Sequence, residues 1–208
     1  GWWLVGVSAL VMVIGTVPVF QGMPAWFVVL ESNFGWSRAQ LSLAFSLTRV
    51  EGSIMGPISG YLIDKVGPKR MVLIGLLVMG AGFMFFSRIN NLWQFYCSFM
   101  VMTSGMGLGT WLPMMTVLNS NSWFIKKRST AMALAMEGFA IGGVVLVPLL
   151  AWAIEPARFG YNGWRITALI IGIVVILLAY PISKLVRSNP ESYGFLPDGA
   201  IPLQPSIS

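Results

Sequence analysis

Six apolar stretches, each near the length that crosses a lipid bilayer, decide what this chain can fold into. A spanning helix needs about 20 mostly apolar residues. Such runs extend over Trp2 to Leu30, Leu41 to Ile63, Met71 to Phe86, Leu92 to Leu118, Thr130 to Ile154 and Trp164 to Leu185. The bilayer interior offers no water to backbone N–H and C=O groups, so a spanning segment must be a helix or one strand of a closed barrel. A barrel requires short strands of alternating polarity, whereas these runs are near-continuously apolar. The chain therefore reads as an all-α polytopic membrane protein, a bundle of six transmembrane helices. Its charge content agrees: 10% of residues are charged and 56% hydrophobic, against about a quarter charged in a soluble domain. The third run is short and is expected to borrow residues from its flanks. The first is long, and Gly15, Pro18, Gly22 and Pro24 in its second half predict a bent helix.

Basic residues set the orientation. Lys65, Lys69 and Arg70 lie between the second and third runs, Lys126, Lys127 and Arg128 between the fourth and fifth, and Lys184 and Arg187 after the sixth. The opposite connections carry half as many, Arg38, Arg88, Arg158 and Arg165. The positive-inside rule places the first set, and both ends of the segment, in the cytoplasm. The net charge of +6 is then a matter of topology. Short basic clusters abutting apolar spans point to anionic lipid headgroups as neighbours, with no nucleic-acid partner.

Several chemistries are excluded by residue type. The chain has no histidine, which removes histidine-ligated haem, histidine metal sites and a Ser/His protease. The single cysteine, Cys97, cannot form an internal disulfide and is expected to be a small packing residue. A Ser/Lys pair would have to use lysines that all lie in the cytoplasmic flanks. There is no phosphate loop for ATP. The reading is of a protein that is not an enzyme and needs no cofactor or metal. No basic region precedes Gly1, so the first run is not a signal peptide, and without an initiator Met further residues are expected upstream.

The most informative polar segment is GYLIDKVGPKR, residues 60–70, wedged between the second and third runs. Gly60 allows close helix approach and Gly67 a tight turn. Asp64 sits at a helix C-terminal end, where the helix dipole disfavours an acid. It needs either the nearby cations or the N-terminus of another helix. The segment resembles the signature loop of the major facilitator superfamily, G-x-L-x-D-x-x-G-x-[KR]-[KR], at every specified position. GWSRAQLS at 35–42, WFIKKRSTAMALAMEGFAIGG at 123–143 and NPESYGFLPDG at 189–199 look like segments of bacterial monocarboxylate and oxalate/formate-type facilitators.

The resemblance implies one half of a twelve-helix fold. Residues 1–186 would be the N-terminal six-helix bundle and 187–208, with Pro190, Pro197, Gly199, Pro202 and Pro205, the start of the cytoplasmic central linker. It implies a secondary active transporter of a small organic anion, a monocarboxylate, by symport or antiport in a bacterial inner membrane. The partners would be the missing C-terminal half, membrane lipids and a coupling proton or counter-anion. It also implies that Asp64 acts as a conformational latch, with Lys69 and Arg70 as partners and Gly60 and Gly67 shaping the loop. One departure is Val101, where the wider superfamily often has a basic residue. The rival reading is a non-transporting six-helix scaffold or a self-associating channel module.

Charges inside the runs are the other candidates, since each costs a few kcal/mol unless paired or hydrated. At 1.5 Å per residue Glu51 lies roughly 20 Å outward of Asp64, and Glu137 roughly 14 Å outward of Arg128. Both acids fall at mid-membrane. Arg49 and Glu51 are about 200° apart around a helix and are expected to need different partners. Arg49 lies near a stripe of Gly52, Gly56 and Gly60, suited to tight helix contact, and Glu137 is a candidate acid for it. At least one of the three is expected to face the translocation path. Gln21, in the bent part of the first run, is a candidate substrate contact or a partner for freed backbone groups. Gly105, Gly107, Gly109, Trp111 and Pro113 predict close packing and a bend in the fourth run.

Overall fold

The computed structural model describes residues 2–119, 124, 127–155, 159–160 and 162–186. They form an all-helical up-and-down bundle of six rods. The first rod is α1 (Trp2–Thr16), a π-helical turn π1 (Val17–Gln21) and α2 (Met23–Phe34). The second is α3 (Arg38–Val66) and the third α4 (Pro68–Phe86). The fourth joins α5 (Leu92–Met106), a second π-turn π2 (Gly107–Trp111) and α6 (Leu112–Asn119), and the last two are α7 (Arg128–Ala153) and α8 (Gly163–Leu185). The third rod takes in Pro68, Lys69 and Arg70, as its shortness required.

Trp2–Phe34, Pro68–Phe86, Arg128–Ala153 and Gly163–Leu185 are long and apolar enough to cross a membrane. The other two expected spans have the length but are interrupted by polar groups, Arg49 and Glu51 in α3 and Thr103 and Ser104 in α5. The sequence also writes the helix starts. Ser37 caps α3 in a reciprocal box with Gln40, each side chain bonding the other's backbone N–H. Asn91 caps α5 by accepting from Gln94 N at 2.9 Å. Gly67 closes α3 and opens α4 at φ 83°, a conformation only glycine adopts without strain.

α4 is the centre of the bundle, packed against α5 and π2 on one side and α8 on the other, while α1 packs against α7. Glycines make these contacts close. A side chain at Gly80 would strike Gly172 O of α8 at 2.9 Å, and one at Gly109 would strike the backbone of Gly75 at 2.8 Å. Dispersion across such backbone crossings replaces the hydrophobic effect, which lipid does not supply. Trp26, Phe86, Phe95 and Trp164 are fully buried and interlock at one end of the bundle, Trp26 edge on to Phe86 at 5.3 Å and Phe86 edge on to Trp164 at 5.7 Å. At that end Arg165 of α8 reaches the α4–α5 turn, donating to Ser87 O at 3.1 Å and Ile89 O at 2.7 Å. At the opposite end Phe124 is buried and meets Trp2 edge on.

Two packing expectations are corrected. Cys97 is exposed, not packed, because Phe95, Tyr96, Ser98 and Phe99 hold the buried positions of that turn. Gly52, Gly56 and Gly60 contact no helix among the described residues: nothing lies within 4 Å of where their side chains would begin. The intimate contacts fall instead to Gly75, Gly105 and Gly109. The linker at 187–208, like Trp123, Lys126, Arg158 and Arg187, lies outside the described residues.

Candidate functional site

Two π-turns, π1 and π2, each contribute to the rim of the site. π1 forms because Pro18 cannot donate to the helical ladder and the chain closes with a wider turn, Gly22 N donating to Val17 O at 2.8 Å. The freed Pro18 carbonyl accepts from the Trp26 indole at 3.1 Å. π2 forms where Gly107 and Gly109 follow Gly105, at the bend read from that run. The end of α1 meets π2 where Thr110 fits against Gly15, the Thr16 and Thr110 hydroxyls 3.4 Å apart.

Beside them, between α3 and α5, opens a cavity of about 540 Å³. Phe20, Phe45, Phe99 and Trp111 form its apolar wall, and Arg49, Glu51, Thr103 and Ser104 its polar one. Phe45 anchors the aromatic side, edge on to Phe99 at 5.6 Å and to Phe20 at 6.1 Å. Gly107 borders the cavity with nothing within 4 Å of its missing side chain, so it leaves space where Gly105 and Gly109 provide contact.

Glu51, in the middle of α3, is 8% exposed. Its carboxylate accepts from the Thr103 hydroxyl at 2.9 Å on Oε2 and from the Ser104 hydroxyl on Oε1. A buried charge without such donors would cost several kcal/mol. Arg49, two residues away, is exposed at the rim of the same cavity. The two residues, expected to need different partners, nonetheless line one cavity. The cavity wraps round α3 far enough to touch both, and it does so because α3 has no neighbour on its glycine face among the described residues.

The expected ion pair between Arg49 and Glu137 is not formed. Among the described residues the bridge of Arg38 Nε to Glu31 Oε1, at 3.0 Å, is at the end of the bundle, and neither Arg49 nor Glu137 has an opposite charge within reach. Glu137 is exposed on α7, whose small residues Gly138, Gly142 and Gly143 face the first rod. Gln21 neither lines the cavity nor bonds a freed carbonyl. Its carboxamide fills the space above Gly143, so packing fixes it.

In the loop at 60–70, Asp64, Lys69 and Arg70 are exposed, and Asp64 forms no ion pair among the described residues. Lys65 donates instead to the Tyr61 hydroxyl at 3.2 Å. Of the two ways to stabilise Asp64, the neighbouring cations are not in direct contact.

Thr103 and Ser104 are site residues that the reading of the sequence does not pick out. A signal for them exists: two adjacent hydroxyl residues ahead of Gly105 in an apolar run, each able to serve a buried acid on a neighbouring helix.

The Major Facilitator Superfamily model matches residues 2–206. The chain belongs to the major facilitator superfamily. As a member it is 29% identical over 153 residues to the oxalate:formate antiporter of Oxalobacter formigenes, covering 74% of this chain and 36% of that protein. It is 30% identical over 174 residues to monocarboxylate transporter 1 of Rattus norvegicus, covering 83% and 34%. Against a probable hexose phosphate transport protein of Chlamydia trachomatis the figures are 27% over 166 residues, 79% and 35%. The chain thus spans about a third of the length of the curated relatives it matches. In this major facilitator chain the cavity beside α3 joins embedded charge, hydroxyl donors and an aromatic wall. That donor set suits a small polar solute with an apolar part.

Proposed function

We propose that this chain is the N-terminal half of a secondary active transporter of a small organic anion, a monocarboxylate in the simplest case. The observation that carries the reading is the cavity beside α3, with a cation, Arg49, on its rim and no acid paired to it among the described residues. An unpaired guanidinium at mid-helix presents a planar fork of donors matched to a carboxylate. Two of the relatives are named for oxalate, formate and monocarboxylates. Formate or a short monocarboxylate is small against a cavity of about 540 Å³, leaving room for water and for a wall from elsewhere.

That wall is the second six-helix half. Alternating access is then a rocking of one half on the other about the central site. Asp64 is the latch in this scheme, taking its partner from a helix N-terminus of the second half, with Gly60 and Gly67 shaping the loop and Lys69 and Arg70 beside it. Glu137, exposed on α7, flanks the path. The protein sits in a bacterial inner membrane with both ends of this segment cytoplasmic.

Two measurements test the reading. The coding sequence beyond Ser208 should encode six further apolar spans in frame. The full chain in proteoliposomes should exchange radiolabelled formate, acetate or oxalate, and Arg49→Gln should raise KM at least tenfold, the loss of a charge-assisted pair. A stop codon at that point, with self-assembly into a conducting pore, would support the channel module instead. No transport of any of these anions by the full chain refutes the substrate class.

A further inference from the structure

We infer that Glu51 carries the coupling proton, and that Thr103 and Ser104 are the groups that let it do so. This rests on the transport reading above and adds its energy source.

A residue that takes up and releases a proton on every cycle must be accommodated in both states. An arginine partner cannot do that, because it offers donors alone and so locks a carboxylate in its charged form. A hydroxyl offers a donor and two acceptor sites. With Glu51 ionised, Thr103 donates to Oε2 at 2.9 Å and Ser104 donates to Oε1. The Thr103 oxygen is also 3.0 Å from Phe99 O and 3.0 Å from Met100 O, both acceptors on its own helix. When a proton arrives at Oε2, the Thr103 hydrogen swings to one of these carbonyls. Its oxygen then accepts the new O–H of the glutamic acid. One proton is gained from cavity water and no other covalent bond is made or broken. Ser104 remains a donor to the carbonyl oxygen of the acid throughout.

Among the described residues the surroundings add no competing titration. Arg49 is the other titratable group on the cavity wall, and the lining parts of π1, α5, π2 and α6 contribute none. Of the helices that also touch α3, α2 carries Glu31 at the Arg38 end, and α4 carries Lys69 and Arg70 beyond the Gly67 turn. These lie about three and a half and more than four helical turns along α3 from Glu51. Arg49 stays charged, so the cavity holds one fixed cation and one switchable anion. An entering carboxylate on Arg49 meets a like charge while Glu51 is ionised and none once it is protonated. Anion and proton therefore favour each other's binding, and linkage makes the effect reciprocal. This assigns proton symport to a chain whose Val101 leaves the superfamily's frequent basic position empty.

The experiment uses the full chain in proteoliposomes with radiolabelled formate and a lumenal pH dye. Two rates are read: anion counterflow at equal pH, and uptake driven by an acid exterior. The wild type should move protons with formate under the gradient, and its formate affinity should weaken roughly tenfold from acid to alkaline pH, within ordinary site-to-site coupling. In Glu51→Gln, a mimic of the protonated state, the ratio of gradient-driven uptake to counterflow should fall at least tenfold and the pH dependence of affinity should vanish. Gradient-driven uptake with wild-type proton movement in Glu51→Gln overturns the proposal, as does proton-free formate uptake by the wild type.

Should Glu51→Gln fail to fold, Thr103→Val with Ser104→Ala keeps the carboxyl and removes its partners. A proton-to-anion ratio unchanged in that variant equally overturns the proposal. If the wild type transports none of the anions, the substrate reading fails on its own. Protonation of Glu51 is then followed by infrared spectroscopy, as a carboxylic-acid carbonyl band that titrates and is lost in Glu51→Gln or in Glu51→Ala. A spectrum unaffected by the substitution overturns the proton site independently of the substrate.

Discussion

Replacing Gly109 with alanine drives a methyl group into backbone, at the crossing on which the bundle depends. The new Cβ would sit 2.8 Å from Gly75 C, Gly75 Cα and Leu76 N. Carbon atoms settle at about 3.5–4.0 Å, so α4 and π2 must part by roughly 0.7–1.2 Å. Nothing there can rotate aside, because all three atoms are main chain. The same crossing is as close at Gly105, where a Cβ would lie 2.7 Å from Gly75 O and 2.8 Å from Met79 Cα, so the separation loosens the packing there too. A gap of that size forfeits a quarter to a half of the dispersion energy of each atom pair. Overpacking of this kind costs about 1–3 kcal/mol, and the upper part of that range applies where backbone must move. The assay is reversible unfolding of the full chain in mixed micelles by dodecyl sulfate titration, with Gly6→Ala as the control. Gly6 is exposed on α1 with nothing within 4 Å, so its alanine should fit without cost. A Gly109→Ala protein within about 0.5 kcal/mol of wild type, the range of an ordinary surface change, would refute the backbone-contact reasoning.

Three further outcomes follow from the same structure. Gly56→Leu should leave the six-helix half folded, since its side chain meets open space, yet abolish transport by blocking the approach of a second half; normal transport by that variant would remove the docking face. Gly67→Ala, at φ 83°, should cost about 1–3 kcal/mol of strain, read as a lowered melting temperature, and an unshifted melt would mean the turn is not held as described. Arg165→Ala removes donors to Ser87 O, Ile89 O and Asn90 Oδ1 and should destabilise by about 1.5–3 kcal/mol, with Arg165→Lys recovering only part because an ammonium cannot span three acceptors. Full recovery by lysine would show that charge, not the fork of the guanidinium, is what the α4–α5 turn needs.

What the sequence made legible was whatever depends on one helix at a time. Span count, the bend at Pro18 and the turn at Gly67 all follow from local rules of apolar length, missing donors and positive φ. The loop motif added the family. What stayed hidden depends on which faces meet. The spacing of Gly52, Gly56 and Gly60 is as good a contact stripe as that of Gly105 and Gly109, which meet Gly75, and nothing in one chain says which stripe finds its partner inside it. The Arg49–Glu137 pair failed for the same reason, being inferred from charge balance while Glu51 satisfied itself with hydroxyls. Thr103 and Ser104 escape notice because hydroxyl residues in apolar helices more often bond their own turn, as Thr103 also does to Phe99 O and Met100 O.

The exposed faces of the bundle divide by polarity, and the division says which of them lipid can cover. On α8 the outward residues include Ile166, Ile170, Ile173, Val174 and Leu177, an apolar stripe that hydrocarbon solvates at no cost. On α3 and α7 the outward residues include Arg49 and Glu137, both deep in their helices. Placing either against lipid costs about 2.5–3.5 kcal/mol or more, while water or a second protein surface costs far less. Bare glycines on α3 argue against water as the sole cover, since they present backbone suited to close helix contact. The second bundle of the proposed transporter, seated along α3 and α7 with a hydrated space left at Arg49 and Glu51, would meet both conditions. Embedded charge on α3 and α7, together with the open glycines of α3, is what that proposal accounts for.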